Sequence, residues 1–132
     1  KPETNFGSNT RFDFFITKDK YKAFIEVKNV TLSRKEGLAE FPDAITSRGL
    51  KHIHELLNAS KKGYKIFILF LIQRNDCKFF KIAEDIDPEY SNSLSKAVKK
   101  KLNILCYDCK FSSKGIILNQ NIQFINKWIK II

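Results

Sequence analysis

Three residues in the first quarter of the chain, Asp13, Glu26 and Lys28, have the types and spacing to do chemistry. They fall in RFDFFITKDKYKAFIEVKNV, which reads as two alternating runs, Arg11–Thr17 and Tyr21–Val30, joined by the polar turn Lys18-Asp19-Lys20. A turn centred between Asp19 and Lys20 pairs Phe12 with Val27, Phe14 with Ile25 and Ile16 with Ala23. On the opposite face the same register sets Asp13 across from Glu26, with Lys28 two residues further along. Directly opposed side chains have Cβ atoms roughly 4.5–5.5 Å apart, and like charges so placed destabilise a sheet. Two carboxylates that close call for a compensating cation, and a divalent metal is one.

Phosphodiester hydrolysis uses such a group. Mg²⁺ on one or two carboxylates stabilises charge on the phosphate and helps generate a nucleophilic water. A neighbouring Lys orients or helps deprotonate that water and neutralises developing charge. In Glu26-Val27-Lys28 the two charged side chains share one strand face, and the Val27 backbone carbonyl can turn toward the metal. E-x-K alone is a common pattern, and an exposed alternating hairpin face has the same appearance.

The elements that must position these residues follow from periodicity. Lys1–Thr10 reads as a polar lead-in loop. After Val30, TLSRKEGLAEFPDAI reads as a loop carrying Gly37 and Pro42. Thr46 or Ser47 caps a helix to about Lys61 whose apolar stripe is Leu50, Ile53, Leu56 and Leu57, and Gly63 ends it. Tyr64–Gln73 is an almost unbroken apolar run, the pattern of a strand buried on both faces. Arg74-Asn75-Asp76 turns the chain into a strand at Cys77–Ile82. Asp87-Pro88 opens a second helix to about Leu102, with Lys99, Lys100 and Lys101 suiting its C-terminal dipole. Asn103–Phe111 and Ile116–Leu118 read as closing strands, and Gln120–Ile132, with Trp128, takes no assignment. The order β-β-α-β-β-α-β-β predicts one α/β domain over 1–132, a mixed sheet with helices packed on it. The unit from Tyr21 to Gln73 is expected as a right-handed crossover with its two strands parallel.

Composition narrows the partners. With 43% apolar residues, 12 Phe and only 3 Pro and 5 Gly, the chain is not disordered. Its charge of +10 and pI near 9.6 favour a polyanion, nucleic acid before an anionic membrane surface, unless Lys simply dominates the surface. No apolar run reaches the ~20 residues that span a bilayer, and no signal-peptide core opens the chain. Three cysteines make no disulfide framework and point to a reducing compartment. Cys106-x-x-Cys109 lacks the second pair a zinc site needs.

A second cluster surrounds Phe41-Pro42-Asp43-Ala44, which leads into the first helix. A helix N-terminus attracts anions. Thr46, Arg48, Lys51 and His52 lie in or near its first turns and are candidates to contact a substrate phosphate, as is Arg11 at the head of the hairpin. Arg48 is suited to bidentate contact, and His52 fits a surface role equally. Asp43 is either a third metal ligand or a cap of the loop, the cap being favoured. His54 projects differently and is read as surface.

The segments NTRFDF (Asn9–Phe14), IEVKNVTL (Ile25–Leu32) and FPDAITSRGLKHIHEL (Phe41–Leu56) resemble, in order and spacing, the signature of the sugar fermentation stimulation protein family. The likeness runs from about Glu3 to Asn119, with GIIL (Gly115–Leu118) still fitting. It implies a restriction-endonuclease-like core of PD-(D/E)XK type, with Asp13 as the motif Asp and Glu26-Val27-Lys28 as its E-x-K. It also implies Mg²⁺ or Mn²⁺ as cofactor, cytoplasmic DNA binding (or RNA) without sequence preference, and a regulatory role in sugar (maltose) metabolism. Glu3 stands where this fold class sometimes supplies another acidic ligand, though a chain-end position explains it as well. Family members usually begin with a small OB-type barrel, to which nothing here corresponds. The resemblance therefore implies either a metal-dependent nuclease or a non-catalytic DNA-binding regulatory module that keeps the nuclease fold.

Overall fold

A computed structural model describes residues 2–6 and 10–126. The hairpin forms from β2 (Thr10–Lys18) and β3 (Tyr21–Val30), in the predicted register: Phe14 pairs with Ile25, Ile16 with Ala23 and Lys18 with Tyr21. Its two-residue turn puts Asp19 at φ 56°, a left-handed conformation that Asp tolerates. The hairpin continues into a parallel core. β3 pairs with β6 (Lys65–Ile72), and β6 with β8 (Asn103–Ser112), both parallel. β1 (Pro2–Phe6) and β9 (Gly115–Asn121) close the edges antiparallel, giving the order β1-β2-β3-β6-β8-β9. A second sheet has the order β10-β7-β5-β4, from β4 (Leu32–Lys35), β5 (Leu38–Phe41), β7 (Phe79–Ile82) and β10 (Gln123–Phe124).

Helix α1 (Ser47–Lys61) joins β5 to β6, and α2 (Pro88–Lys100) joins β7 to β8. Thr46 caps α1, its Oγ1 accepting from the Gly49 N–H at 2.9 Å. Asp87 serves both helices: one carboxylate oxygen accepts from the Tyr90 N–H at 3.0 Å and the other from the Thr46 N–H at 2.9 Å. Gly49 permits the close fit, since a Cβ there would stand 2.9 Å from the Thr46 side chain and 3.0 Å from the Tyr90 ring. The core runs between the layers. Phe70 of β6 packs on Phe80 (ring centroids 4.7 Å apart) and on Phe41 (5.4 Å), and Phe41 meets Tyr90 at 5.5 Å.

Several expectations are corrected. Residues 2–6 form an edge strand rather than a lead-in loop, held by backbone pairing that a polar PETNF run does not advertise. The stretch after Val30 contains the short hairpin β4–β5, turning at Gly37 with φ 78°; strands of four residues are too brief for alternation to stand out. β6 buries Ile66, Ile68, Phe70 and Ile72 fully but leaves its other face half-buried. The buried stripe of α1 is Gly49, Ile53, Leu56 and Ala59, with Leu50 and Leu57 on its margin. Of the unassigned tail, 120–124 complete β9 and supply β10, and the Asn126 side chain accepts from the Ile82 N–H at 2.8 Å. Trp128 and the rest of 127–132 lie outside the described residues.

Candidate metal centre

The register of the hairpin is as read from sequence between Lys18–Tyr21 and Phe14–Ile25, but the expected pairs Phe12–Val27 and Asp13–Glu26 are not part of the ladder, and the Phe14–Ile16 side of β2 is the exposed one. Phe14 and Ile16, expected to point inward, are 43% and 45% exposed. The packed face is that of Phe15 and Phe24, whose rings lie 4.8 Å apart, and it is the face that carries Glu26, only 4% exposed. Phe12 is also fully buried, its ring 4.9 Å from Phe24, so simple alternation does not carry through from Phe14 to Phe12. The paired ladder stops in the same place, at Phe14–Ile25. Beyond it the Asp13 carboxylate takes over the role of the strand, accepting from the Val27 N–H at 2.8 Å. A strand residue sends its N–H and C=O to the same side, so the Val27 carbonyl lies on the edge that Asp13 occupies.

Over this face lies α1. The Lys28 ammonium donates to His52 Nδ1 at 2.8 Å, and the same nitrogen is 3.3 Å from Glu26 Oε2. Lysine only donates, so His52 Nδ1 must be its unprotonated nitrogen. Burial, then Lys28 and Arg48, push His52 down to about 4, which keeps the ring neutral. A neutral Nδ1 offers Glu26 no proton, and Glu26 Oε2 has no hydrogen-bond partner among the described residues. Burial, followed by the neighbouring Asp13 carboxyl, raises Glu26 to about 8. Asp13 moves the other way: burial opposes its ionisation, but its bonds with Glu26 and the Val27 N–H, and the Lys28 charge, outweigh it. Burial lowers Lys28, while Glu26 and Asp13 hold its charge on.

The structure thus brings Asp13, Glu26, Val27, Lys28 and His52 together, with Arg48 close enough to favour the Glu26 anion. Arg48 and Lys51 are exposed, and Thr46 has its hydroxyl oxygen in the helix cap. Asp43 is exposed and outside the cluster; the N–H groups that start the two helices are held by Thr46 and Asp87 instead. The backbone of Glu3, between the pairs Pro2–Phe14 and Thr4–Phe12, is level with Asp13 across β1 and β2, and Arg11 pairs with Asn5. His54 is exposed, as expected. Sequence reasoning missed the His52 contact with Lys28. Tyr90, which the helix pattern places inward, is fully buried as expected; what the pattern did not give is that its hydroxyl has no partner among the described residues and is raised by burial and then by Glu26. A phenol on the inward stripe of α2 was the available signal.

An unpartnered buried carboxylate oxygen beside a second carboxylate and a strand carbonyl is a donor set suited to a hard divalent cation. Among the described residues no cluster of three or more His, Cys, Asp or Glu side chains is placed to hold a metal. Two carboxylates and a carbonyl could serve Mg²⁺, an ion that keeps several waters. The cysteines are all free, and burial raises Cys106 to about 12.

A parallel-centred mixed sheet, entered by a hairpin that sets a buried Glu between a half-buried Asp and a half-buried Lys at the first helix, defines a restriction-endonuclease-like domain. The family model described as the sugar fermentation stimulation protein RE domain matches residues 1–115. The chain belongs to the sugar fermentation stimulation protein family. A homolog from Pelagibacter ubique is 52% identical over 126 residues, which cover 96% of this chain and 54% of that protein. One from Roseobacter denitrificans is 42% identical, covering 88% and 50%. A solved structure, Pyrococcus furiosus SfsA in complex with Ca²⁺, superposes with a TM-score of 0.83 at 27% identity, covering 96% of this chain and 54% of that one. The chain spans about half the length of the relatives it matches. No described helix is long and apolar enough to cross a membrane.

Proposed function

We propose that the domain is a divalent-metal-dependent phosphodiesterase of PD-(D/E)XK type that binds DNA or RNA without sequence preference and acts in the cytoplasm. The observation that carries this reading is Glu26 Oε2, buried and unpartnered next to Asp13. Asp13, Glu26 and the Val27 carbonyl would hold Mg²⁺ or Mn²⁺, with Glu3 a further candidate from its register position. The Ca²⁺ complex of the Pyrococcus furiosus relative supports a divalent ion in this family. The ion supplies charge stabilisation at the scissile phosphate and a more acidic water.

The chain's own residues do the rest. Asp13, held by the Val27 N–H, stays ionised. Lys28, fixed by its bond to His52, presents an ammonium beside the carboxylates, and its lowered pKa suits it to orient or deprotonate a water. His52 remains neutral and positions Lys28. Arg48 and Lys51, exposed on the first turns of α1, take the flanking phosphates, with Thr46 and Arg11 as further contacts.

A second reading keeps the fold and drops the chemistry: a DNA-binding regulatory module of sugar (maltose) metabolism. The basic charge of +10 serves it equally. The test is incubation of plasmid and single-stranded DNA with Mg²⁺ or Mn²⁺. The wild type is expected to cleave, with Glu26→Ala and Lys28→Ala slower by about 10²–10³-fold. Equal cleavage by all three, or none by any, would overturn the nuclease reading.

A further inference from the structure

The charges of this chain are sorted along its strands. Ala23 of β3 pairs with Lys65 of β6, which places the hairpin tip beside the start of β6 and the end of α1. The tip brings Lys18, Lys20 and Lys22, all exposed, and the end of α1 brings Lys61 and Lys62. The end of α2, leading into β8 next to β6, adds Lys99, Lys100 and Lys101, also exposed. The one carboxylate among them is Asp19. Between the two helix ends lies a cavity of about 370 Å³ in which Lys61, Lys100 and Lys101 stand with His54, Asn58 and Ser60 around the apolar side chain of Leu57, and no acid lines it. Balancing two helix C-termini, each worth about −0.5 charge, needs roughly one lysine; Lys61, Lys99, Lys100 and Lys101 stand there exposed. From Arg48 the exposed face of α1 continues through Lys51, His54 and Asn58 to Lys61, linking the carboxylate cluster to this end.

We propose that this lysine end, centred on the cavity between α1 and α2, is a second phosphate-binding surface that holds the backbone of a polynucleotide away from the reacting phosphate. The proposal rests on the nuclease reading for what happens at the first site and deepens it by assigning the substrate class: a polymer gripped at two places. Glu26 lies five residues along β3 from Tyr21, about 16 Å at the rise of a strand. With a phosphate every ~3.4 Å of axis along each strand, the second surface meets the backbone about five base pairs from the first. Contacts of this kind are to phosphate and carry no sequence information.

The experiment is the salt dependence of affinity for a duplex of about 20 base pairs, where each neutralised phosphate contributes about 0.9 to the log–log slope. Anisotropy titrations without divalent ion compare wild type, Lys61→Gln/Lys100→Gln/Lys101→Gln, and a control, Lys78→Gln/Lys110→Gln/Lys114→Gln. The control removes the same charge elsewhere: Lys110 and Lys114 lie past the Ile72–Asp108 pair, at the other end of β8 from Lys101, and Lys78 immediately precedes β7. Circular dichroism and melting confirm that each variant is folded. A steep wild-type slope that becomes shallower by about two to three in the first variant, and by less than one in the control, is expected. Equal slopes in the two variants would overturn this surface while leaving the metal centre standing. A flat wild-type slope would overturn nucleic-acid binding itself, whereas unchanged metal binding would still support the carboxylate cluster. Loss of binding to phosphatidylserine vesicles, with DNA affinity unchanged in the first variant, would reassign the surface to anionic membranes.

Discussion

Two glutamates of this fold, Glu26 and Glu40, are equally hidden, each 4% exposed, and the protein treats them in opposite ways. Glu40 on β5 receives Arg34 in a two-pronged contact of 2.9 and 2.7 Å. The same guanidinium reaches Asp85 at 2.6 and 2.8 Å. The Arg34 hydrogen bond outweighs burial and holds Glu40 below its ordinary value. Glu26 receives no such donor on its Oε2, shares its neighbourhood with another carboxylate, and is raised to about 8. A buried acid with its own arginine is a structural device; a buried acid left without one is held ready for a cation that the chain itself does not supply.

The comparison breaks first at activity, where removing Glu26 should cost the 10²–10³-fold stated above, while Glu40→Gln should leave cleavage near wild type. Next in size is stability. Arg34→Ala leaves the Glu40 charge buried without its partner and should lower the urea midpoint of unfolding. Glu26→Gln replaces a carboxyl that the fold keeps protonated with a neutral amide and should not destabilise the metal-free protein. A result in which Arg34→Ala melts like wild type would remove the distinction.

The smallest effect is in the pH profile, and here the two acids have opposite signs. The folded protein keeps the Glu26 proton to about 8, whereas the unfolded chain releases it near 4.5. The contribution of Glu26 is therefore fully present below 4.5 and is lost as pH rises toward 8. Glu40, depressed in the folded state, contributes above 4.5 and loses that contribution as pH falls. Metal-free wild type should thus lose stability on the alkaline side, and Glu26→Gln should lose less. Coincident melting curves for the two proteins across this range would contradict the assignment.

How much was legible in the sequence follows the range of the interactions. The hairpin register came through because a two-residue turn fixes cross-strand partners locally. The Asp13, Glu26 and Lys28 grouping came with it, because strand parity is local too. Which face is buried is decided by what packs on the sheet, and Phe14 and Ile16 are as apolar as Phe15 and Phe24, so composition could not choose. The helices were legible from their caps; the double duty of Asp87 was not, since it joins residues 41 apart. His52 was seen as a helix residue near an anion site, but its contact with Lys28 depends on how α1 lies across β3. The Arg34 network spans 51 residues to Asp85 and rests on a short hairpin that looked like a loop.

The central claim is that Glu26 Oε2 is the open half of a divalent-cation site. It is tested most directly by isothermal titration of Mg²⁺ or Mn²⁺ into wild type, Glu26→Gln and Glu40→Gln, with the pH stepped through about 8. Wild type and Glu40→Gln should bind one ion, more tightly as the Glu26 proton is removed, and Glu26→Gln should not. Binding of equal affinity and stoichiometry by Glu26→Gln would contradict the account.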